Sequence, residues 1–300
     1  MRNPLAAVSR WDVFAAAVAL GAAVSIAAII RFYKPPPVHP LFPRSPSEFL
    51  SPPQLADAKA RAGSLLAKDP QDISALTELA VLTYQEGPDH ALDCIEYAQK
   101  ALDAGALDDR LFFYRGASYE AKGLTGYAAE DFEKFLRHHP DDLEVRLRLG
   151  NLLYRAGELE KAEAAFKAVL AARPADPLVS FNLAVVLRDR RQWEEGLAVL
   201  LPIMDRDKTL PVGGQRVLGD LYGGAGKTDE ALAAYRKELE RAPDDADTAA
   251  AVADTLEKSG RKAEAREAWK HVLDIDKGNR RARARIRALT PRPARRARRR

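Results

Sequence analysis

Residues 143–176, LEVRLRLGNLLYRAGELEKAEAAFKAVLAARPAD, constrain this chain more than any other stretch. Apolar residues recur at three- and four-residue intervals on both sides of Gly157, the pattern of two short amphipathic helices joined by a tight turn. Neighbouring segments carry the same marks at the same spacing. Self-similarity at such a period means that each unit buries its apolar face only by stacking on its neighbours. The expected fold is an all-α solenoid with units at 73–108, 109–142, 143–176, 177–210, 212–245 and 246–279.

Glycine ends the first helix in five units, at Gly87, Gly123, Gly157, Gly226 and Gly260, where a left-handed backbone is needed. Arg191 stands at that place in the fourth unit, so its turn is expected to be built differently. Pro70, Pro140, Pro174 and Pro243 close units, because proline cannot extend the second helix. Only ten Phe, nine Tyr and three Trp occur in 300 residues, which implies a core of Ala and Leu. Cys94 is the sole cysteine, which excludes an intrachain disulfide and a cysteine metal cluster. Its place in the repeat, where Ala is usual, reads as a small buried hydrophobe.

These units resemble the tetratricopeptide repeat family. The second has Phe112, Gly116, Tyr119, Ala128, Phe132 and Pro140 at repeat positions 4, 8, 11, 20, 24 and 32. The third has Leu149, Gly150, Ala162, Phe166 and Pro174; the fifth has Leu218, Gly219, Tyr222, Ala231, Tyr235 and Pro243. The sixth keeps Ala265 and Trp269 but carries Lys277 where proline is expected. The resemblance implies a right-handed superhelix and a non-enzymatic protein that binds a partner in a groove.

The flanks differ in character. Val13 to Ile30 carries no charge and is long enough to span a bilayer, so residues 13–34, after a head at 1–12, are expected to be an uncleaved transmembrane anchor. A cleaved secretory signal is the rival reading, disfavoured because no small-x-small site follows. Basic residues nearly balance across the segment, which leaves the orientation open. Residues 35–53 hold eight prolines and read as a stiff, extended spacer in preference to a docking site for a polyproline-binding module. Residues 54–72 form a capping helix, as do residues 280–290 at the other end. Residues 280–300 contain eleven Arg and no acid, and taking them from the total of +4 leaves −7 for residues 1–279. From 291 onward, with Arg292, Arg295, Arg296, Arg298, Arg299 and Arg300, the chain has nothing to bury and is expected to be disordered. That tail suits anionic lipid first and nucleic acid second, since no aromatic residue interleaves its arginines.

No catalytic, metal or cofactor site is expected. The five histidines fall in linker, turn or surface positions, and none has a partner at metal-ligand spacing. Gly223-Gly224-Ala225-Gly226-Lys227-Thr228 imitates a phosphate-binding loop, but Leu221 stands where that pattern needs glycine. Gly213-Gly214 and Gly223-Gly224 are expected to weaken the first helix of the fifth unit and to permit a local hinge.

The family resemblance implies a groove lined by positions 2, 5, 6, 9, 12 and 13 of each first helix. Here these give Tyr84, Arg110, Phe113, Tyr114, Arg148, Asn151, Tyr154, Arg155, Phe181, Asn182 and Arg188, with Arg216, Asp220, Asp247, Asp254 and Glu257 towards the C-terminal end. The middle of the groove is expected to be basic and aromatic and its far end acidic, suited to a partner segment with acidic and apolar residues. Some relatives clamp two carboxylates of a chaperone tail. Asn151 and Asn182 fit two clamp places, but Leu147, Gly213 and Val217 occupy others, so that specificity is not expected. The function expected is a membrane-tethered scaffold or assembly factor with no small-molecule substrate; the Ala- and Arg-rich composition points to a GC-rich bacterial source, and with the expected anchor to a single-pass protein of a bacterial inner membrane. A soluble or secreted adaptor, or a protein acting through its Arg tail, is the alternative.

Overall fold

The computed structural model describes residues 42–174, 176–204 and 213–290. They form fourteen α-helices and no strand. In chain order these are α1 (Pro52–Leu66), α2 (Ile73–Gln85), α3 (Ala91–Asp103), α4 (Arg110–Ala121), α5 (Thr125–His138), α6 (Leu143–Arg155) and α7 (Leu159–Ala172). They continue as α8 (Pro177–Asp189), α9 (Trp193–Met204), α10 (Gly214–Gly224), α11 (Thr228–Arg241), α12 (Ala246–Lys258), α13 (Lys262–Ile275) and α14 (Arg280–Leu289).

Two compact units are present, residues 1–54 and 55–300. In the first, the expected extended spacer is interrupted by a 3-10 turn at Pro46–Glu48. Glu48 closes that turn by accepting the backbone N–H groups of Arg44 and Ser45 at 2.7 and 3.1 Å, and Arg44 lies 4.0 Å from the Phe42 ring centroid. The rest of the spacer expectation, like the head at 1–12, falls on residues 1–41, outside the described residues. The expectation of a single-pass membrane protein is corrected. Among the described residues no helix is long and apolar enough to cross a membrane, and residues 13–34, which carried that expectation, lie outside them.

In the second unit each helix packs on the next, from α2 through α14. First helices also touch one another, α2 on α4, α6 on α8, α8 on α10 and α10 on α12, whereas successive second helices make sparser contacts. First helices therefore share one wall of the stack. Local sequence sets where they begin. Asp72, Asp142, Asp176, Asp245 and Asn279 accept backbone N–H groups at the starts of α2, α6, α8, α12 and α14, satisfying donors the first helical turn leaves open. The start of α10 has no such side chain. There Gly213 is left-handed (φ 95°), and Glu238 from α11 accepts the N–H groups of Gly213 and Gln215 at 2.8 and 3.1 Å.

Helix pairs close where a small residue meets a large one. A Cβ at Gly150 would lie 2.7 Å from the Phe166 ring, and one at Gly219 would collide with Tyr235. Phe132, Phe166 and Trp269 are fully buried, with Leu and Ala filling the remainder. Cys94 is buried as well. Burial pushes its thiol up to about 11, and its Sγ donates to the Tyr114 carbonyl at 3.7 Å. The Arg115–Asp131 ion pair is buried: Arg115 reaches Asp131 with two bonds of 2.7 Å and Gln99 with one of 2.5 Å.

The fourth turn corrects a sequence expectation. Arg191 adopts φ 60°, where the other inter-helix turns use glycine. Its N–H bonds to the Arg188 carbonyl at 3.0 Å, and that of Gln192 to Leu187 at 2.8 Å. Gly157 and Glu158 repeat the same bonds one unit earlier, at 3.0 and 2.9 Å. The turn is thus built like the others, with a side chain tolerated in left-handed backbone.

Candidate functional site

The wall of first helices is where the groove residues fall, and most of them hold the stack together. Arg148 on α6 reaches back to Glu120 on α4 at 2.7 Å. Its guanidinium lies 4.9 Å from the Phe132 ring centroid and 5.5 Å from that of Phe113. Asn182 on α8 donates to Asn151 on α6 at 3.0 Å. The Tyr154 hydroxyl donates to Asp189 at 2.8 Å, and burial, with that carboxylate, raises its pKa. Arg188 donates to Asp189 at 2.8 Å and to Asp220 on α10 at 3.3 Å. Burial opposes its charge, but the two carboxylates outweigh that and hold its pKa above the ordinary guanidinium value.

The ladder continues to the C-terminal cap. Arg216 approaches Asp247 at 3.6 Å, Arg281 pairs with Asp254 at 2.6 Å, and Arg285 pairs with Glu257. The expected acidic end is therefore neutralised, because Asp247 meets Arg216 of the preceding first helix and Asp254 and Glu257 meet arginines of α14. Five exposed or half-exposed pairs of this kind add little stability each. Their geometry nonetheless fixes how one first helix sits against the next.

Two groove assignments are corrected. Phe113 and Tyr114 are each 0% exposed. Tyr84 packs at 5.0 Å from the Tyr114 centroid and 5.9 Å from that of Phe113, and Phe135 backs Phe113 at 5.9 Å. Burying two rings gains more than presenting them to solvent, so the second unit draws these positions into its core. Arg110 is held by Asp108 at 2.5 Å. Phe181 is partly buried against the core between α8 and α10. Arg155 is exposed, with no ion-pair partner among the described residues. The six tail arginines, Arg292 to Arg300, lie outside the described residues.

A cleft of about 730 Å³ opens across the C-terminal ends of α8, α10 and α12. Gly223 and Gly224 lie in it, flanked by Arg188, Asp189, Arg191 and Trp193 on one side and by Thr255, Lys258 and Ser259 on the other. Gly223 and Gly224 occupy positions 12 and 13 of their unit. In the third unit those places hold Tyr154 and Arg155, in the fourth Arg188 and Asp189. The missing side chain at Gly223 leaves open space, whereas the place of one at Gly224 is taken by the Trp193 indole. The first helix of the fifth unit, expected to be weakened, runs unbroken through both glycines, and Trp193 lies so close to Gly224 that a Cβ there would collide with its indole.

Charge in the cleft is unevenly satisfied. Asp220 accepts the Tyr235 hydroxyl at 2.9 Å and Arg188 at 3.3 Å, while Asp189 accepts Tyr154 and Arg188. Burial pushes the Tyr235 phenol up, reinforced by the Asp220 charge. Arg191 and Lys258 are exposed and have no ion-pair partner among the described residues. Sequence reasoning passed over this cleft, reading the glycines only as helix weakeners. Their fall on two groove positions of one unit was the available signal. Among the described residues no group of His, Cys, Asp and Glu could hold a metal ion.

Three family models, each described as tetratricopeptide repeat, match residues 121–180, 163–242 and 216–280, together more than half of the chain. No curated protein matches. Among solved structures, MamA from Desulfovibrio magneticus RS-1 superposes with a TM-score of 0.53 at 19% identity, over 58% of this chain and 98% of that one. The C-terminal part of a repeat protein from Cytophaga hutchinsonii gives 0.57 at 17%, over 78% and 95%. A chain of the APC/C hetero-tetramer Cut9–Hcn1 gives 0.51 at 14%, over 90% and 52%. At such identities the likeness is one of fold.

Proposed function

Because the chain belongs to the tetratricopeptide repeat family, we propose that it is a non-enzymatic scaffold whose wall of first helices binds a segment of a partner protein. The observation that carries this is the continuity of that wall. First helices pack on one another at α2–α4, α6–α8, α8–α10 and α10–α12, the Arg148–Glu120 pair bridges α4 and α6, and Asn151–Asn182 helps to hold α6 and α8 in register. A surface organised before binding loses less entropy when the partner docks. Tyr84, Arg148, Asn151, Tyr154, Arg155, Phe181, Asn182 and Arg188 form the proposed lining. The free cations along it, Arg155, Arg191 and Lys258, favour a segment carrying acidic side chains, and the half-buried aromatics favour apolar neighbours in that segment.

Site-specific photocrosslinking of the full chain in cells tests this reading. A crosslinker replacing Arg155 is expected to capture a discrete partner. One replacing Lys161, exposed on the second helix of the same unit, is expected to capture none. Equal capture from both places, or capture from neither, removes the proposal.

A further inference from the structure

The cleft at the fifth unit combines three features that a structural gap has no need of. It opens by deletion at Gly223, which stands where the other units carry a side chain, while the deletion at Gly224 seats the Trp193 indole in its wall. It is bordered by a residue held in costly backbone, Arg191 at φ 60°, a position that glycine fills in the other units without strain. Its carboxylates are each bonded twice within the chain, while two cations at its mouth have no ion-pair partner among the described residues. Backbone strain at the edge of a cavity is a mark of function, and an arginine kept there in place of glycine points to a use for its charge.

We propose that this cleft is the anchor of the partner segment: it takes a carboxylate of a peptide between Arg191 and Lys258 and a large apolar side chain beside Trp193. This rests on the scaffold reading and names the chemistry of its partner. Arg191 supplies a planar pair of donors that match a carboxylate, and Lys258 supplies a second charge from the opposite side. Asp189 and Asp220 do not compete for them, being occupied by Tyr154, Tyr235 and Arg188. The volume, about 730 Å³, lies in the range of pockets that enclose small ligands or a few side chains. The partly exposed Trp193 indole provides apolar contact area at low entropic cost.

The test uses the full chain and three panels of dansyl-labelled nonapeptides: acidic with Leu or Trp, basic with Leu or Trp, and acidic without a large apolar residue. The first panel is expected to bind tightest. Two variants then separate binding from folding. In Gly223→Leu, the nearest atoms to the new Cβ, on Ala231, Tyr235 and Thr255, stand 3.8–4.0 Å away. The side chain fills the cleft without forcing the helix, so affinity for the first panel is expected to fall roughly tenfold or more with no loss of thermal midpoint. Arg191→Gly relieves the left-handed strain and removes one cation, so the midpoint is expected to rise while affinity falls. Equal binding by the basic panel overturns the proposal, as does unchanged affinity in both variants. If no panel binds while the Arg155 crosslink still captures a partner, the cleft assignment fails and the scaffold reading stands.

Discussion

The third and fifth units have the same backbone plan and opposite surfaces. On α6 the outward positions carry Asn151, Tyr154 and Arg155, and two of the three bond to the next helix. On α10 the equivalent places are Asp220, Gly223 and Gly224, and only the first reaches a neighbour. One unit uses its surface as a strut and the other leaves it open. The starts of the two helices differ in the same sense. Asp142 caps α6 from one residue before it, whereas α10 relies on Glu238, brought from the partner helix and 0% exposed. A repeat can thus lose its local signals and keep its fold, provided that tertiary contacts supply what is missing.

Substitutions can break or sharpen that contrast. The largest effect is expected in the filled region, at the second unit. Asp131→Ala leaves the Arg115 guanidinium, 8% exposed, without its carboxylate, at a cost of about 3–5 kcal/mol. Denaturant titration with amide exchange on α4 and α5 would show it, and protection equal to wild type would deny the pair its structural role. Next comes the tertiary cap of the open unit. Glu238→Ala strands two backbone donors at the start of α10 and should cost about 1–3 kcal/mol. Faster exchange at Gln215 and its neighbours is the readout, and an unchanged rate would mean that solvent takes over the capping.

Two glycine substitutions should then move stability in opposite directions. Gly150→Ala drives a methyl to within 2.7 Å of Phe166. The clash exceeds the gain in helix propensity, so a net loss of about 1–2 kcal/mol is expected. Gly223→Ala meets no atom closer than 3.8 Å and should gain about 0.5–1 kcal/mol. If both substitutions destabilise equally, the fifth-unit surface is packed in solution and the cleft is closed.

Much of the stack was legible beforehand because its signals are local. Helical periodicity, the glycine turns and the closing prolines all depend on residues within one unit. The groove was legible only as a set of positions. Phe113 and Tyr114 fell on that set, yet Tyr84 and Phe135, from other helices, enclose them. Arg148 and Arg188 were expected to face a partner, but Glu120, Asp189 and Asp220 already hold them. Arg191 was expected to alter its turn, because from sequence a side chain at that place argues against left-handed backbone.

By itself the sequence determined the repeat, its period and the start and end of most helices, since these follow from short-range propensity and from apolar faces that must be buried. Tertiary structure alone decided which wall residues are free. Partners such as Arg148 and Glu120 lie twenty-eight positions apart, and their meeting depends on how one unit seats on the next. The same seating turned two adjacent glycines, locally a weakness in a helix, into a seat for Trp193 at Gly224 and a cleft at Gly223 with Arg191 and Lys258 at its mouth.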